Sequence, residues 1–508
     1  MRKKIEFLIL PTILIVAAFF RLYRISDYMT FLGDEGRDVL VAKGILEGHL
    51  TLLGPRASAG DFFLGPIYYY FMAPFLWLFK LDPVGPAVMV ALIGIATVFL
   101  IYKVTKEFFG VRAAIFSSAL YAISPLVVAY SRSSWNPNPM PFVSLLTLYL
   151  TYKSVQSPSF KKFISIGVLL GIALQLHYLA IFLIIIIGTY IFTADFYLKK
   201  KIKLLFSEYL QVLLGFLIGF SPFLGFEVRH GFPNIKTIIG FIFTNTFQKG
   251  YGDNVSFVYI VKDVFFRLFG KLVTSFPPND HFSWYSPSQI SIWQYSTVLL
   301  GILSVFFIFK AKSRLVKFLL EIWIFFGIFL FGFYKKPIYD YYFGFMFPLP
   351  FILVGNFLSR TFEFKNLLFK ILSIGIFIAL ILVNLSGAPF RFEPNRQKDQ
   401  VRKISEFVLA RTDAKPFNFA LITAHNSDHA YRYYFEILGH KPVQIENIMN
   451  DPKRTTVTDQ LLVICEDTTC KPLGYPQFEI SNFGRANIAG EWDVSVVKVF
   501  KLVHYTGK

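Results

Sequence analysis

The chain has 508 residues, 55% of them hydrophobic and only 16% charged, with a formal net charge of +19 and a mean hydropathy of +0.53. A soluble domain carries charge on about a quarter of its residues, so one soluble globular fold is excluded and a polytopic membrane protein is expected. The positive charge does not point to nucleic acid, because most Lys and Arg sit in short loops between apolar runs, where they set membrane orientation.

Residues 5–22 are the first expected span. Arg2, Lys3 and Lys4 precede it and hold the N-terminus in the cytoplasm. The run ends in Phe-Phe-Arg without a small-residue cleavage site, which reads as an uncleaved span rather than a signal peptide. The loop that follows contains Phe31-Leu32-Gly33-Asp34-Glu35-Gly36-Arg37-Asp38, three carboxylates and an arginine in five residues. Residues 35–47 read as a short amphipathic helix with Val39, Ala42, Ile45 and Leu46 on one side, suited to a membrane surface. Apolar runs long enough to span follow at 86–103, 112–130, 138–152, 163–176, 178–196, 208–226, 292–309, 316–333, 341–357 and 371–388.

Parity decides the aromatic segment 62–80. The basic loops 103–112, 153–162, 199–203, 310–317 and 360–370 all fall on the cytoplasmic side only if this segment makes no net crossing. It is therefore expected as a re-entrant or juxtamembrane helix on the outer face. About eleven spans and an outside C-terminus result.

Residues 390–508 change character. Helices at 398–411 and 428–438 alternate with strands at 417–423, 461–465 and 494–502. The fold class expected is an α-helical polytopic membrane protein, residues 1–389, followed by a small extracytoplasmic α/β domain, residues 390–508. Cys465 and Cys470 are too few for a metal framework but can pair outside the cytoplasm.

The outer loops collect the ionisable groups. Asp34, Glu35, Arg37, Asp38, His49, Arg56 and Asp61 lie in the first; Arg132, Trp135 and Asn136 lie in the Ser-Arg-Ser-Ser-Trp-Asn-Pro turn; His177 lies between two apolar segments; Lys335, Lys336, Tyr339, Asp340, Tyr341 and Tyr342 precede a late span. Ionisable groups at a membrane are costly and commonly functional. A carboxylate there can take a proton from an acceptor hydroxyl, and Arg or Lys can hold a phosphate leaving group as its charge grows. Each also has a structural task open to it. Asp34 suits a helix cap, Glu35 and Asp38 suit the helix dipole, and Arg37 suits an ion pair. Arg132 and Asn136 suit capping of adjacent spans, His177 suits a hydrogen-bonded turn, and Lys335 with Lys336 suits a headgroup anchor. No metal-binding spacing is present. A carboxylate pair with His177 offers donors to a divalent cation without any spacing that demands one. Phosphate-loop and dinucleotide fingerprints are absent.

The order of features resembles the GT-C superfamily, in its protein-mannosyltransferase and aminoarabinose-transferase-like branch (glycosyltransferase family 39 and bacterial relatives), over roughly residues 1–390. The residues that carry the resemblance are the Asp-Glu loop followed by Leu64-Gly65-Pro66-Ile67-Tyr68-Tyr69-Tyr70, then the Ser-Arg turn, the His hairpin and the late Tyr-rich motif. The resemblance implies an inverting glycosyltransferase that uses a polyprenyl-phosphate sugar on the outer face of the plasma membrane. It places the catalytic base, or acceptor-orienting group, at Asp34 with Glu35 beside it. The family's basic-or-His-Pro-Pro-Leu-Tyr motif appears here without its basic residue and one proline, so Arg56 or Lys336 is expected to replace that phosphate contact. Asn136 stands at a second acidic position and, being an amide, orients substrate only. The expected substrate ligands are Arg37, Asp38, Arg56, Tyr68, Arg132, Asn136, His177, Lys335, Lys336 and Tyr341, with no metal ligand. Expected partners are the lipid-linked donor, an extracytoplasmic acceptor and membrane lipid, and no nucleic acid. A transporter or lipid-linked-sugar flippase is the first alternative. Charges concentrated at one face, without matched halves, argue against it. A non-catalytic assembly factor is the second, and the Asp-Glu loop opposes it.

Overall fold

The computed structural model describes residues 2–57, 60–243, 256–276, 283–334, 336–467 and 469–507, with side chains from residue 8 onward and not for 241–243. Lys335 lies outside the described residues. The chain divides into two compact units. The first comprises Met1–Tyr23, Leu50–Phe71 and Ala87–Glu393; the second comprises Arg24–His49, Met72–Pro86 and Pro394–Lys508.

The first unit is a bundle of apolar helices. Among the described residues six helices are long and apolar enough to cross a membrane: Val84–Phe109, Ala180–Tyr197, Ile202–Gly219, Pro287–Lys310, Arg314–Phe333 and Leu367–Ser386. A seventh crossing results if Asp340–Met346 and Pro348–Glu363, bent by 59° at their junction, make one span. Several runs that hydropathy reads as continuous are interrupted by proline. Residues 112–130 form Val111–Ile123 and then Pro125–Tyr130, and residues 208–226 form Ile202–Gly219 and then a helix starting at Ser221-Pro222. Proline has no N–H to give the preceding turn, so a helix restarts there and does not run through. The segment expected at 62–80 is a 12-residue helix, Ile67–Leu78. At 1.5 Å per residue that is about 18 Å, short of a hydrocarbon core about 30 Å thick.

Small residues set one close helix pair. Phe160–Leu176 carries Gly167 and Gly171, and Ile202–Gly219 carries Gly215 and Gly219. A Cβ on Gly167 would lie 2.0 Å from the Val212 carbonyl oxygen, and one on Gly215 would lie 2.1 Å from that of Ile164. Two facing small-x-x-x-small motifs thus bring backbone against backbone, which is how helices gain packing where lipid supplies no hydrophobic drive.

The second unit is built on a mixed four-stranded sheet. Its strands are β1 (Asn418–Ile422), β2 (Gln460–Cys465), β3 (Ala486–Val494) and β4 (Val497–His504), in the order β1-β2-β4-β3. β1 and β2 are parallel, and the other pairs are antiparallel. Both faces of β1 are covered, Ala420 and Ile422 by Ile480 and Phe483, and Phe419 by Tyr431 and Phe435. That explains its unbroken apolar run. The strand expected at 494–502 is instead the turn and second arm of a hairpin. Val494 pairs with Val497, and Ser495, at φ 57°, makes the turn. β3 is the largely exposed edge, so its sequence lacks the apolar run that marks β2.

The helix Gly33–Leu46 belongs to this second unit and packs on His429–Ile437. Gly36 faces the Ala430 backbone so closely that a Cβ would lie 2.3 Å from its nitrogen. Phe31 meets Tyr433 and Tyr434 edge-on, and Lys43 Nζ lies 2.9 Å from Glu436 Oε1. Val39 and Ala42, expected on one apolar face, are buried.

Candidate functional site

In the second unit the acidic stretch forms the first turns of the Gly33–Leu46 helix. Its three carboxylates have different surroundings. The Asp34 side chain is 56% exposed. Glu35 is buried, and its Oε2 accepts the Leu32 N–H at 3.0 Å, a reach-back that satisfies one of the free amides preceding the helix. Burial is the main influence on Glu35 and pushes its pKa up to about 7, with Asp34 and Asp38 adding to the rise. Asp38 is fully buried. Arg37 joins the two ends of the cluster: Nη1 donates to Asp34 Oδ1 at 2.8 Å, while Nε and Nη2 donate to Asp38 Oδ1 at 2.9 and 2.7 Å. The guanidinium is thereby held in one orientation, and it in turn holds the exposed carboxylate. Such charge-assisted bonds are the strong ones. Asp34 is thus the accessible acid of the stretch, Glu35 a buried support and Asp38 the anchor of Arg37.

Four residues of the second unit join this cluster that the sequence did not single out. Ser427 Oγ lies 2.8 Å from His429 Nδ1, and Arg432 Nε donates to Asp428 Oδ2 at 2.5 Å. Burial holds the His429 imidazole below its usual pKa, with Asp428 opposing and Arg37 reinforcing that shift. Their sequence signal, a run of polar residues before a helix, is shared with any capped helix.

In the first unit the other expected residues fall into distinct surroundings. Arg56 is exposed and pairs with Asp61 at 2.7 Å. The arms of that loop pair at Arg56 and Phe63. Tyr68, fully buried in the first turn of its helix, shares a 2.7 Å hydrogen bond with Ser134 Oγ. Just before it, the Ile67 N–H donates to Gln175 Oε1 at 3.3 Å, and Gln175 Nε2 donates to the Gly219 carbonyl at 2.6 Å. The Gly-Pro-Ile-Tyr segment is therefore anchored by a buried amide that the sequence did not mark. Arg132 is buried, and Nη1 and Nη2 donate to the Phe20 and Tyr23 carbonyls, each at 2.7 Å. It caps the C-terminus of the first helix. Asn136 Nδ2 donates to the Leu176 carbonyl at 2.6 Å, a second helix-end contact.

His177 sits at that same helix end. Its Nδ1 accepts the Leu179 N–H at 3.2 Å, so the ring proton resides on Nε2. Burial lowers its pKa to about 3, which keeps the imidazole neutral. Around it is an aromatic cluster. Tyr178 stacks on His177 at 4.6 Å, Tyr342 lies at 5.0 Å and Tyr341 meets it edge-on at 5.6 Å. Tyr341 also lies 4.4 Å from Trp135. Lys336 is partly buried, and that burial holds its ammonium below the usual range. Beside the cluster, Arg267 Nε and Lys271 Nζ donate to the two Asp340 oxygens, each at 2.9 Å. Arg267 and Lys271 fall in residues 227–291, between the expected spans 208–226 and 292–309. The helix Phe257–Gly270 was not expected there; its sequence signal is Ile260, Val264 and Leu268 on one face with Asp263 and Arg267 four apart on another. Among the described residues no group of three His, Cys, Asp or Glu could hold a metal ion.

Comparison with known proteins agrees with this architecture. Residues 64–226 match the family model described as dolichyl-phosphate-mannose-protein mannosyltransferase. A putative mannosyltransferase, YycA of Bacillus subtilis, is 26% identical over 158 residues, 31% of this chain and 23% of that protein. The chain thus matches under a quarter of that relative's length. Among solved structures, ArnT from Cupriavidus metallidurans in the apo state superposes with a TM-score of 0.63 at 14% identity, covering 99% of this chain and 98% of that one. The same protein bound to undecaprenyl phosphate gives 0.61 at 13% identity, covering 97% of each chain. The oligosaccharyltransferase AglB from Archaeoglobus fulgidus, in complex with an inhibitory peptide and a dolichol-phosphate, gives 0.52 at 12% identity over 91% of this chain and 69% of that one.

Proposed function

We propose that this GT-C superfamily member, a multi-pass membrane protein, transfers a sugar from a polyprenyl-phosphate donor to a hydroxyl acceptor. The observation that carries the reading is Asp34, an exposed carboxylate at a helix start held by Arg37, itself anchored on buried Asp38. A base needs access and a fixed direction, and this arrangement supplies both. The acceptor oxygen attacks the anomeric carbon, and the bond from that carbon to the phosphate oxygen breaks. The hydroxyl proton passes to Asp34, and the polyprenyl phosphate leaves with the bonding electrons. One displacement of this kind inverts the anomeric centre. The neighbours' bound lipid phosphates support the donor class. Arg37, one turn along the same helix from Asp34, is assigned to the departing phosphate. Within the first unit, Tyr341 and Trp135 present the kind of apolar rings that suit a sugar face. Arg132 and Asn136 are assigned the support of helix ends. The reading places the protein in the plasma membrane with the second unit outside the cytoplasm.

The test is transfer of radiolabelled sugar from a panel of polyprenyl-phosphate donors in membranes carrying wild type or Asp34→Asn at equal expression. General-base catalysis contributes about 10²–10⁴-fold, so the variant is expected to lose at least about a hundredfold. Full activity in Asp34→Asn would move the base elsewhere.

A further inference from the structure

The start of the acidic helix is held by a relay from the sheet of its own unit. The Gly33 N–H is one of the free amides of the first helical turn. It donates to Asn426 Oδ1 at 2.9 Å, across 393 positions of sequence. The same oxygen accepts the Ser427 N–H at 2.8 Å. Asn426 Nδ2 donates to Glu466 Oε1 at 2.9 Å, and that oxygen also accepts the Tyr431 hydroxyl at 3.0 Å. The carboxylate therefore decides which way the amide points, because only the NH₂ end can meet it, and the carbonyl end is left to cap the helix. Glu466 is itself held through its backbone and through the residue before it. Its N–H donates to the Ile422 carbonyl at 3.0 Å, and Cys465 before it is disulfide-bonded to Cys470. Steric fit completes the contact, since a Cβ on Gly33 would lie 2.0 Å from Ser427 Oγ.

We propose that Asn426 and Glu466 are positioning residues for Asp34, and that the Cys465–Cys470 bridge sets Glu466, so that its reduction loosens the helix start that carries the base. This rests on the reading of Asp34 as the base. Asn426 and Glu466 touch no reacting atom. They act through the Gly33 amide, one residue from Asp34, and a misplacement near 1 Å is enough to cost about a hundredfold in rate.

The experiment uses full-length protein in nanodiscs, with transfer kinetics and hydrogen-exchange mass spectrometry of residues 31–38. Asn426→Ala is expected to lower kcat roughly ten- to a hundredfold with the donor KM within twofold, and to speed exchange in 31–38 while the sheet keeps its protection. Asn426→Asp sets two carboxylates face to face and is expected to fall as far. Asn426→Asp with Glu466→Gln restores a donor–acceptor pair of reversed polarity and is expected to recover most of the activity. Reduction with a phosphine is expected to slow wild type and leave Asn426→Ala unchanged, because both break one relay. The proposal is overturned if Asn426→Ala keeps wild-type kcat and exchange, or if the reversed pair is no better than Asn426→Asp alone. If an alanine variant fails to fold, the comparison of Asn426→Asp with the reversed pair decides. Full activity in Asp34→Asn would remove the catalytic premise, whereas exchange in 31–38 would still report whether the relay holds the helix.

Discussion

Glu35 makes the stability of the fold depend on pH. Its side chain is buried, its partner is the Leu32 N–H, and its pKa stands at about 7 against an ordinary 4.5. The sign follows from linkage. Below pH 4.5 folded and unfolded chains both hold the proton, and the group contributes nothing. Between 4.5 and about 7 the unfolded chain releases its proton first, so rising pH favours unfolding, and the loss levels off above 7. The gap of about 2.5 pH units, at 1.36 kcal/mol each, amounts to roughly 3 kcal/mol. Glu35→Gln keeps an oxygen for the Leu32 N–H and removes the ionisation. The assay is thermal unfolding of the purified protein from pH 5 to 8.5, wild type against variant. The two should be close at pH 5, and the glutamine protein should gain steadily to about pH 7.5. A difference independent of pH, or a glutamine protein less stable at pH 8.5, would refute the reasoning.

Other outcomes follow from single contacts. Gly215→Leu has no room against the Ile164 carbonyl and should cost about 3 kcal/mol, at the upper end for overpacking, seen as a lower melting temperature in detergent. Arg56→Ala removes an exposed ion pair with Asp61 and should change stability by less than about 1 kcal/mol. A higher donor KM in that variant would give Arg56 a binding role. Asp340→Asn removes the carboxylate shared by Arg267 and Lys271, with Asp263 still beside Arg267, and should destabilise by about 1.5–3 kcal/mol, readable by unfolding in detergent. Asn136→Ala frees the Leu176 carbonyl and should cost about 1–3 kcal/mol for the unsatisfied acceptor, again measured by unfolding.

Spans were legible wherever length and apolarity alone decide. The run expected at 86–103 is the helix Val84–Phe109, and that at 371–388 is Leu367–Ser386. Breaks inside apolar runs were less so, because hydropathy is blind to a missing N–H at Pro125 or Pro222. In the tail, β1 and β2 follow the expected strands because both are buried. β3 escaped because it is largely exposed and needs no apolar run, whereas β1, also at an edge, is covered on both faces. At the candidate site the acidic helix and its capping chemistry were readable locally, since Glu35 reaches only three residues back. The destinations of Arg132 and Asn136 were not readable: both reach helix-end carbonyls, and those lie 109 to 112 and 40 residues away.

By itself the sequence determined the class, many of the apolar spans and the one stretch where carboxylates crowd a helix start, because those depend on composition, period and near neighbours. Only the tertiary structure decided that Gly33–Leu46 folds with the C-terminal sheet, that Arg37 orients Asp34 from a buried Asp38, and that Asn426 caps Gly33 from 393 residues away. Such contacts join segments whose local patterns carry no trace of each other. Their cause is the need to satisfy each buried donor, acceptor and charge once the chain has packed.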